Sequence, residues 1–157
     1  SPMQKELGTC QKYDFAKKAD FVVVNLGTND NSSFNNPWTD ESTGKVYQYQ
    51  VNDDGTVAES SKKEIYEGIK KFLYQIRKNN PSAKILWVWG MLKLDKIPAI
   101  LQKAMEDYKK ESGDQNVFSL ELDAMEDVEN HLLDKGSRWH PGPKTHELAA
   151  KKISQNL

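Results

Sequence analysis

Two short segments contain the residue types best suited to chemistry. The apolar run 21–26 is followed directly by residues 27–30, Gly-Thr-Asn-Asp. A glycine and small polar side chains at the carboxyl end of a buried strand stand where α/β folds bind ligands. Near the other end of the chain, Trp-His-Pro at 139–141 precedes a helical pattern. The Asn29 amide and the His140 imidazole suggest an acyl-transfer site, although no nucleophile is evident beside them.

The elements around these segments predict a parallel α/β domain. Continuous apolar runs predict buried strands at 20–26, 84–90 and 117–122. The spacing of apolar residues predicts helices at 1–12, 61–79, 98–112, 126–133 and 143–156. Strands and helices alternate, and crossovers of this length imply a parallel sheet with helices on both faces.

Local patterns refine this prediction. Ser61 and Glu64 match a capping box, which predicts that the second helix begins at Ser61. Segment 31–60 is polar, and it contains an alternating run at 45–51 and an Asn-Asp-Asp-Gly turn at 52–55. We interpret it as a surface hairpin inserted in a single domain over 1–157. Segment 21–26 is too apolar for an open sheet edge, so a further strand should pair with it.

Composition excludes several classes of function. The 157 residues include 22 Lys and Arg against 23 Asp and Glu, so charge favours neither nucleic acid nor an anionic membrane as a partner. No run approaches the roughly 18 apolar residues of a membrane span. The single cysteine, Cys10, is predicted to be a helix-face core residue. The spacings of His131, Asp134, His140 and His146 do not match metal sites, so no metal or cofactor is expected.

The order of the motifs resembles that of the SGNH (GDSL-like) hydrolases. Within them the sequence is most similar to carbohydrate esterase family two, the acetyl-xylan and related sugar deacetylases. Residues 20–30 resemble the third sequence block of this family, 66–81 its following helix, and Trp-His-Pro at 139–141, with Thr145 and His146, its last block. The resemblance implies a flavodoxin-like, three-layer α/β/α fold with a parallel sheet, and a secreted or cell-surface location.

The resemblance also implies roles for three residues. Ester hydrolysis places negative charge on the carbonyl oxygen, and the family stabilises it in an oxyanion hole that maps onto Asn29 and Gly27. The general base maps onto His140, which takes the proton of a serine and returns it to the leaving hydroxyl. Most SGNH enzymes orient this ring with an Asp at the position of Ser137, whereas family two uses a backbone carbonyl. Asp134 and the Ser137 side chain are further candidates for orienting the ring.

Two blocks of the family are absent from the sequence. These are Gly-Asp-Ser at the end of the first strand, which supplies the nucleophile, and the second block, which supplies a glycine donor. We therefore expect the chain to be the C-terminal part of one domain, with the N-terminal strands and the serine on a segment outside it. The chain alone is expected to be inactive. Ser32 and Ser33 lie on a polar loop, which indicates turn residues rather than nucleophiles.

The substrate that the resemblance implies is an acetylated polysaccharide or sugar. Trp139 and Trp38 are candidate substrate-binding residues because an aromatic face suits the apolar face of a pyranose. Either tryptophan could instead pack internally, Trp38 as an anchor of the hairpin. Two other functions stay open: a catalytically inactive carbohydrate-binding module on the same scaffold, and a flavodoxin-like interaction domain. In the last case Asn29 and His140 would lie far apart. Asn29 and Asp30 could also form only a turn at the strand end.

Overall fold

The computed structural model describes residues 16–127 and 134–157. The strands are β1 (Phe21–Asn25), β2 (Trp38–Thr39), β3 (Val46–Tyr47), β4 (Lys84–Trp89) and β5 (Val117–Glu121). The helices are α1 (Thr28–Ser32), α2 (Glu59–Asn79), α3 (Ile97–Ser112) and α4 (Pro143–Ser154). The predicted helix at 1–12, Cys10, His131 and most of the predicted helix at 126–133 lie outside the described residues.

Helix length and hydropathy bear on membrane insertion. Among the helices described, none is both long enough and apolar enough to cross a bilayer.

The central sheet is parallel, with the strand order β1-β4-β5. All five residues that follow Lys84 in β4 are buried, because helices cover both faces of this middle strand. Ile85, Trp87 and Trp89 pack against α2 and α3 on one face. Leu86 and Val88 pack against α4 on the other. The predicted three-layer α/β/α fold with a parallel sheet is therefore confirmed.

Helix α2 begins earlier than the capping box predicted. Its first residue is Glu59, and no side chain caps its N-terminus at Ala58. Ser61 lies inside the helix and is buried, and its Oγ accepts a hydrogen bond from the Gln50 backbone N–H at 2.8 Å. The capping-box prediction is wrong because this hydroxyl ties the preceding segment to α2 instead of closing the helix end.

Strand β1 is the outer strand of the described sheet. Val24 is buried on the side of α2 and α3. Phe21 and Val23 are 51% and 42% exposed, and their partners in register are Lys84 and Leu86. Since residues in register point to the same face, these side chains lie on the α4 side of the sheet. The described elements leave this part of an apolar strand uncovered.

The polar segment between α1 and α2 contains the antiparallel pair β2–β3. Trp38 pairs with Tyr47, and Thr39 with Val46. The first part of the alternating run at 45–51 therefore pairs with residues 38–39, which precede it in the sequence. The predicted turn at 52–55 is also present, with a bridge between Val51 and Val57 beside it.

Candidate functional site

The carboxyl end of β1 turns abruptly into α1. Gly27 is the residue at the turn, with φ +119°, a backbone conformation that side chains rarely tolerate. It is buried, and a Cβ at this position would lie 3.3 Å from Ile97 Cγ2. This turn places Asn29 on α1, where it is exposed.

Asn31 fixes the turn to the start of α3. Its Nδ2 donates to Asp95 Oδ1 at 3.0 Å. Its Oδ1 accepts from the backbone N–H groups of Lys96 at 3.0 Å and Ile97 at 3.3 Å. The asparagine therefore satisfies donors at the N-terminus of α3, which lack partners within the helix. Sequence analysis did not single out Asn31, since its partners lie more than 60 residues away.

The side chain of Trp87 also holds the end of β1 in place. Its indole Nε1 donates to the Leu26 carbonyl at 3.1 Å. The sequence indicated Trp87 only as a core candidate. A buried tryptophan needs an acceptor for its N–H, and this requirement was the available signal.

The Asn29 amide has no hydrogen-bond partner among residues 16–127 and 134–157. Its backbone carbonyl accepts from Ser32 Oγ at 2.9 Å and from the Ser33 N–H at 3.0 Å, but its side chain is left to donate outward. Asn29 lines a pocket of about 440 Å³. Trp38 lines the same pocket, so two of the predicted site residues come together here.

The serines that follow Asn29 are engaged locally. Ser32 Oγ donates to the Asn29 carbonyl, and Ser33 Oγ donates to the Asp30 carbonyl at 2.8 Å. Both hydroxyls thus bond to backbone one turn earlier, as expected of turn and helix residues.

His140 is held by a backbone carbonyl. Its Nδ1 lies 3.0 Å from the Ser137 carbonyl oxygen. Because a carbonyl can only accept, this hydrogen bond requires the proton on Nδ1 and leaves a lone pair on Nε2. The same carbonyl accepts from the His140 backbone N–H at 3.0 Å. The neutral ring is therefore set in the form that can accept a proton through Nε2.

The turn that presents this carbonyl is unusual. Arg138 (φ 51°, ψ 39°) and Trp139 (φ 62°) both have left-handed backbone conformations. A turn with two such central residues normally carries Asn-Gly, since left-handed backbone costs other residues on the order of 1–3 kcal/mol each. The surrounding contacts hold it: the Gly136 N–H donates to the His140 carbonyl at 2.7 Å. Strained backbone thus stands directly beside the candidate base.

We expect Arg138→Pro to release the His140 ring. Proline fixes φ near −65°, which is incompatible with the positive φ at this position, so the Ser137 carbonyl can no longer face Nδ1. The ¹⁵N spectrum of histidine-labelled protein at a pH where the ring is neutral measures the tautomer. Wild-type protein should show a protonated Nδ1, and Arg138→Pro a mixture dominated by protonated Nε2.

The matched control is Arg138→Gly, because glycine adopts positive φ without strain. This variant should keep the Nδ1–H signal of the wild type. Retention of that signal in Arg138→Pro would contradict the assignment of the turn as what orients the ring.

Asp134 has a different partner from the one considered in the sequence. Its Oδ2 accepts from the Thr145 backbone N–H at 2.6 Å and from Thr145 Oγ1 at 2.8 Å. A Cβ on Gly142 would lie 2.5 Å from Asp134 Oδ1, so this glycine makes room for the carboxylate. Asp134 thus anchors the start of α4, and in the described structure it makes no hydrogen bond to His140.

Both site segments attach to the loop after β4. Asn31 joins the first segment to Asp95. On the other side, the Met125 N–H donates to the Met91 carbonyl, and the Asp134 N–H donates to the Met125 carbonyl, both at 3.0 Å. The carboxyl edge of the sheet therefore supports both segments.

The predicted site residues fall into two groups. Asn29 and Trp38 share the pocket described above, and Gly27 lines a smaller apolar pocket of about 200 Å³ beside it. His140 and Trp139 are neighbours on the later loop and are not among the residues that line either pocket. The Trp139 ring is exposed, and Lys135 Nζ lies 3.6 Å from its centroid.

A three-layer parallel α/β domain is suited to ester hydrolysis when it carries an exposed amide on the short helix after β1 and an oriented imidazole on a later loop. The chain belongs to the GDSL-like lipase/acylhydrolase family, whose model matches residues 3–153. The resemblance that we noted in the sequence is therefore confirmed.

Two solved structures are similar to this chain. The acetyl xylan esterase Est2A from the rumen bacterium Butyrivibrio proteoclasticus is 38% identical, with a TM-score of 0.83 over 99% of this chain and 41% of that chain. A family two carbohydrate esterase from Clostridium thermocellum, in complex with cellohexaose, is 22% identical, with a TM-score of 0.64 over 94% of this chain and 38% of that chain. The second likeness is one of fold. An acetyl xylan esterase and a family two carbohydrate esterase are thus among the structural neighbours of this chain, as the sequence indicated.

A relative identified by sequence is also named as an esterase. Cellulase/esterase CelE of Acetivibrio thermocellus is 26% identical over 152 residues, which are 93% of this chain and 15% of the relative. The chain spans less than half the length of each of these three proteins.

Proposed function

We propose that this chain is part of a carbohydrate esterase that removes O-acetyl groups from a polysaccharide or sugar. In this proposal His140 is the general base, Asn29 and Gly27 belong to the oxyanion hole, and a segment outside the sequence supplies the nucleophilic serine. The observation that carries the proposal is the hydrogen bond between His140 Nδ1 and the Ser137 carbonyl, since it leaves Nε2 free to take a proton. The identity to acetyl xylan esterase Est2A supports the substrate class.

The residues perform a two-step acyl transfer. His140 Nε2 takes the serine proton as the serine oxygen attacks the acetyl carbonyl. The tetrahedral intermediate carries negative charge on the former carbonyl oxygen, and the outward Asn29 amide donates to it. His140 then gives its proton to the leaving sugar oxygen. In the second step the imidazole takes a proton from water, the resulting hydroxide attacks the acetyl-serine, and acetate leaves as the serine regains its proton.

The positions of the other groups agree with this mechanism. Gly27, with no side chain and a positive φ, lets the backbone turn so that substrate can approach Asn29. The Ser137 carbonyl takes the orienting role that a carboxylate plays in a full triad. We propose a dyad, therefore, in which a backbone dipole stabilises the protonated ring.

Two observations support a serine from outside the sequence. The hydroxyls of Ser32 and Ser33 both donate to backbone carbonyls of their own turn. The apolar side chains of Phe21 and Val23 are exposed on β1, the outer strand, as expected if a further part of the domain covers this strand. By itself the chain would then be inactive. Because a polysaccharide stays outside cells, we also propose that the protein acts in secreted or cell-surface form.

Two observations favour a second function, a catalytically inactive carbohydrate-binding module. In the described structure no serine hydroxyl bonds to His140, while Trp38 and Trp139 are both exposed. A protein with an aromatic surface and no nucleophile would bind sugar without cleaving its esters.

Labelling the nucleophile distinguishes the two functions. The full-length protein is treated with a fluorophosphonate, which reacts with activated serines, and peptide mass mapping locates the adduct. We expect one stoichiometric adduct on a serine outside residues 1–157, together with acetate release from acetylated xylan. An adduct on Ser32 or Ser33 would contradict the external nucleophile, and no adduct with no acetate release would favour the binding module.

A further inference from the structure

We propose that the pocket beside Asn29 is a subsite for a neutral pyranose unit, adjacent to the sugar that carries the acetyl group. This subsite, defined by Trp38, Tyr47, Asp30 and Glu64, lies between the β2–β3 hairpin and helices α1 and α2. The inference rests on the proposed function, because it assigns the part of the polysaccharide that this pocket binds.

The hairpin supplies an aromatic wall. Trp38 and Tyr47 are cross-strand partners with ring centroids 5.3 Å apart and planes at 35°. They are 60% and 43% exposed, although aromatic residues of this size are usually buried. Rings held together at a pocket wall offer an apolar face for the C–H groups of a sugar ring.

The opposite wall supplies hydrogen-bond acceptors. Asp30 and Glu64 line the pocket, and neither carboxylate has an ion-pair or hydrogen-bond partner among the described residues. Burial and the negative charges of Asp30 and then Glu64 raise the pKa of Tyr49, which lines the same pocket. Carboxylate oxygens accept hydrogen bonds from the hydroxyl groups that a neutral sugar carries in abundance.

The charge of the pocket predicts what it rejects. Lys45 is the single cation in the lining, and its Nζ lies 4.5 Å from the Tyr47 ring centroid. Two carboxylates against one ammonium leave a net negative charge, which repels the carboxylate of a uronic acid. The subsite should therefore favour a neutral xylose or glucose unit over a unit substituted with glucuronic acid.

The hairpin is fastened to the domain, so the pocket is formed before a ligand arrives. Tyr49 packs on the buried Phe34 at 5.4 Å between centroids, and Gln48 Nε2 donates to the Phe34 carbonyl at 3.1 Å. The Gln50 N–H donates to Ser61 Oγ in α2. Binding to a preformed wall avoids the entropy cost of ordering a loop.

Calorimetry and kinetics on the full-length protein test the subsite. The probes are unacetylated xylohexaose, its glucuronate-substituted form, acetylated xylohexaose and p-nitrophenyl acetate. Trp38→Ala should weaken binding of xylohexaose about tenfold, and its loss of kcat/KM should be about tenfold larger on acetylated xylohexaose than on p-nitrophenyl acetate. Glu64→Gln should reduce the preference for neutral over glucuronate-substituted xylohexaose several-fold.

Thr39→Ala is the matched control, since Thr39 lies on the same hairpin, is exposed and does not line the pocket. This variant should match wild type in every measurement. Wild-type binding and kinetics in Trp38→Ala would overturn the subsite, as would a wild-type preference for the glucuronate-substituted chain. Absence of acetate release by the wild type, with the Trp38-dependent binding intact, would instead overturn the esterase and leave the subsite standing.

Discussion

If His140 is the proposed general base, we expect His140→Ala to lower kcat for acetate release by about four orders of magnitude in the full-length protein, corresponding to roughly 5 kcal/mol of transition-state stabilisation. The serine proton then has no acceptor, because the Ser137 carbonyl is a very weak base and Asp134 is engaged by Thr145. KM should change little, since the imidazole acts on protons rather than on the bound sugar. Acetate release from acetylated xylan and p-nitrophenyl acetate hydrolysis measure the effect.

The matched control is His146→Ala. His146 is also exposed, and it lies six residues later in the first turn of α4. This variant should keep wild-type kcat. A second variant, His140→Asn, retains an N–H donor for the Ser137 carbonyl and so separates loss of the base from loss of the turn. Equal losses in His140→Ala and His146→Ala, or wild-type turnover in His140→Asn, would remove His140 from the base position.

The sheet could be predicted because its physical requirement is simple. The middle strand β4 is covered on both faces, so it reads as an unbroken apolar run. The helices could be predicted for the same reason, since Ile65, Ile69 and Leu73 recur with helical spacing and are all buried. Phe72 belongs to the same pattern and is half-exposed, packing edge-on against Trp87. Because the apolar residues of such a helix must all face the core, their spacing alone indicates the helix in the sequence.

Short elements left no such periodicity. Helix α1 has five residues and no buried side chain, so its stability depends on the Gly27 turn and on contacts of Asn31 with α3. Strand β2 has two residues and depends on its partner β3. The capping box failed for a related reason. Ser61 could bond to its own helix end or to a distant backbone N–H, and only the fold decides between them.

The candidate site likewise has a part that the sequence indicated and a part that it did not. Side-chain chemistry indicated Asn29 and His140, because few residue types can donate to an oxyanion or act as a base near neutral pH. Residue types alone did not indicate what holds His140, although the resemblance to family two implied a backbone carbonyl. It is a backbone carbonyl, set by left-handed conformations at Arg138 and Trp139, which these residues disfavour. Because Arg and Trp disfavour this backbone conformation, their presence in the sequence does not indicate the turn.

If Asn29 belongs to the proposed oxyanion hole, we expect Asn29→Ala to lower kcat for acetate release by about 10²–10³-fold, with KM changed less than about threefold. The amide has no partner among the described residues, so its donor capacity is available for a ligand. The hydrogen bond from this amide strengthens most when the carbonyl oxygen becomes negatively charged, because hydrogen bonds to charged acceptors are about twice as strong as neutral ones. The loss should therefore appear in the transition state rather than in ground-state binding, and steady-state kinetics on acetylated xylohexaose separates the two.

Asn35→Ala is the control that matches residue type and exposure, six positions later in the same segment. It should retain wild-type kcat and KM. Asn29→Asp adds a second criterion, because a carboxylate at this position would repel the developing oxyanion and should cost at least as much as alanine. If the effect of Asn29→Ala fell on KM alone, Asn29 would be a substrate-binding residue of the pocket, like Trp38, and stabilisation of the oxyanion would have to come from another donor.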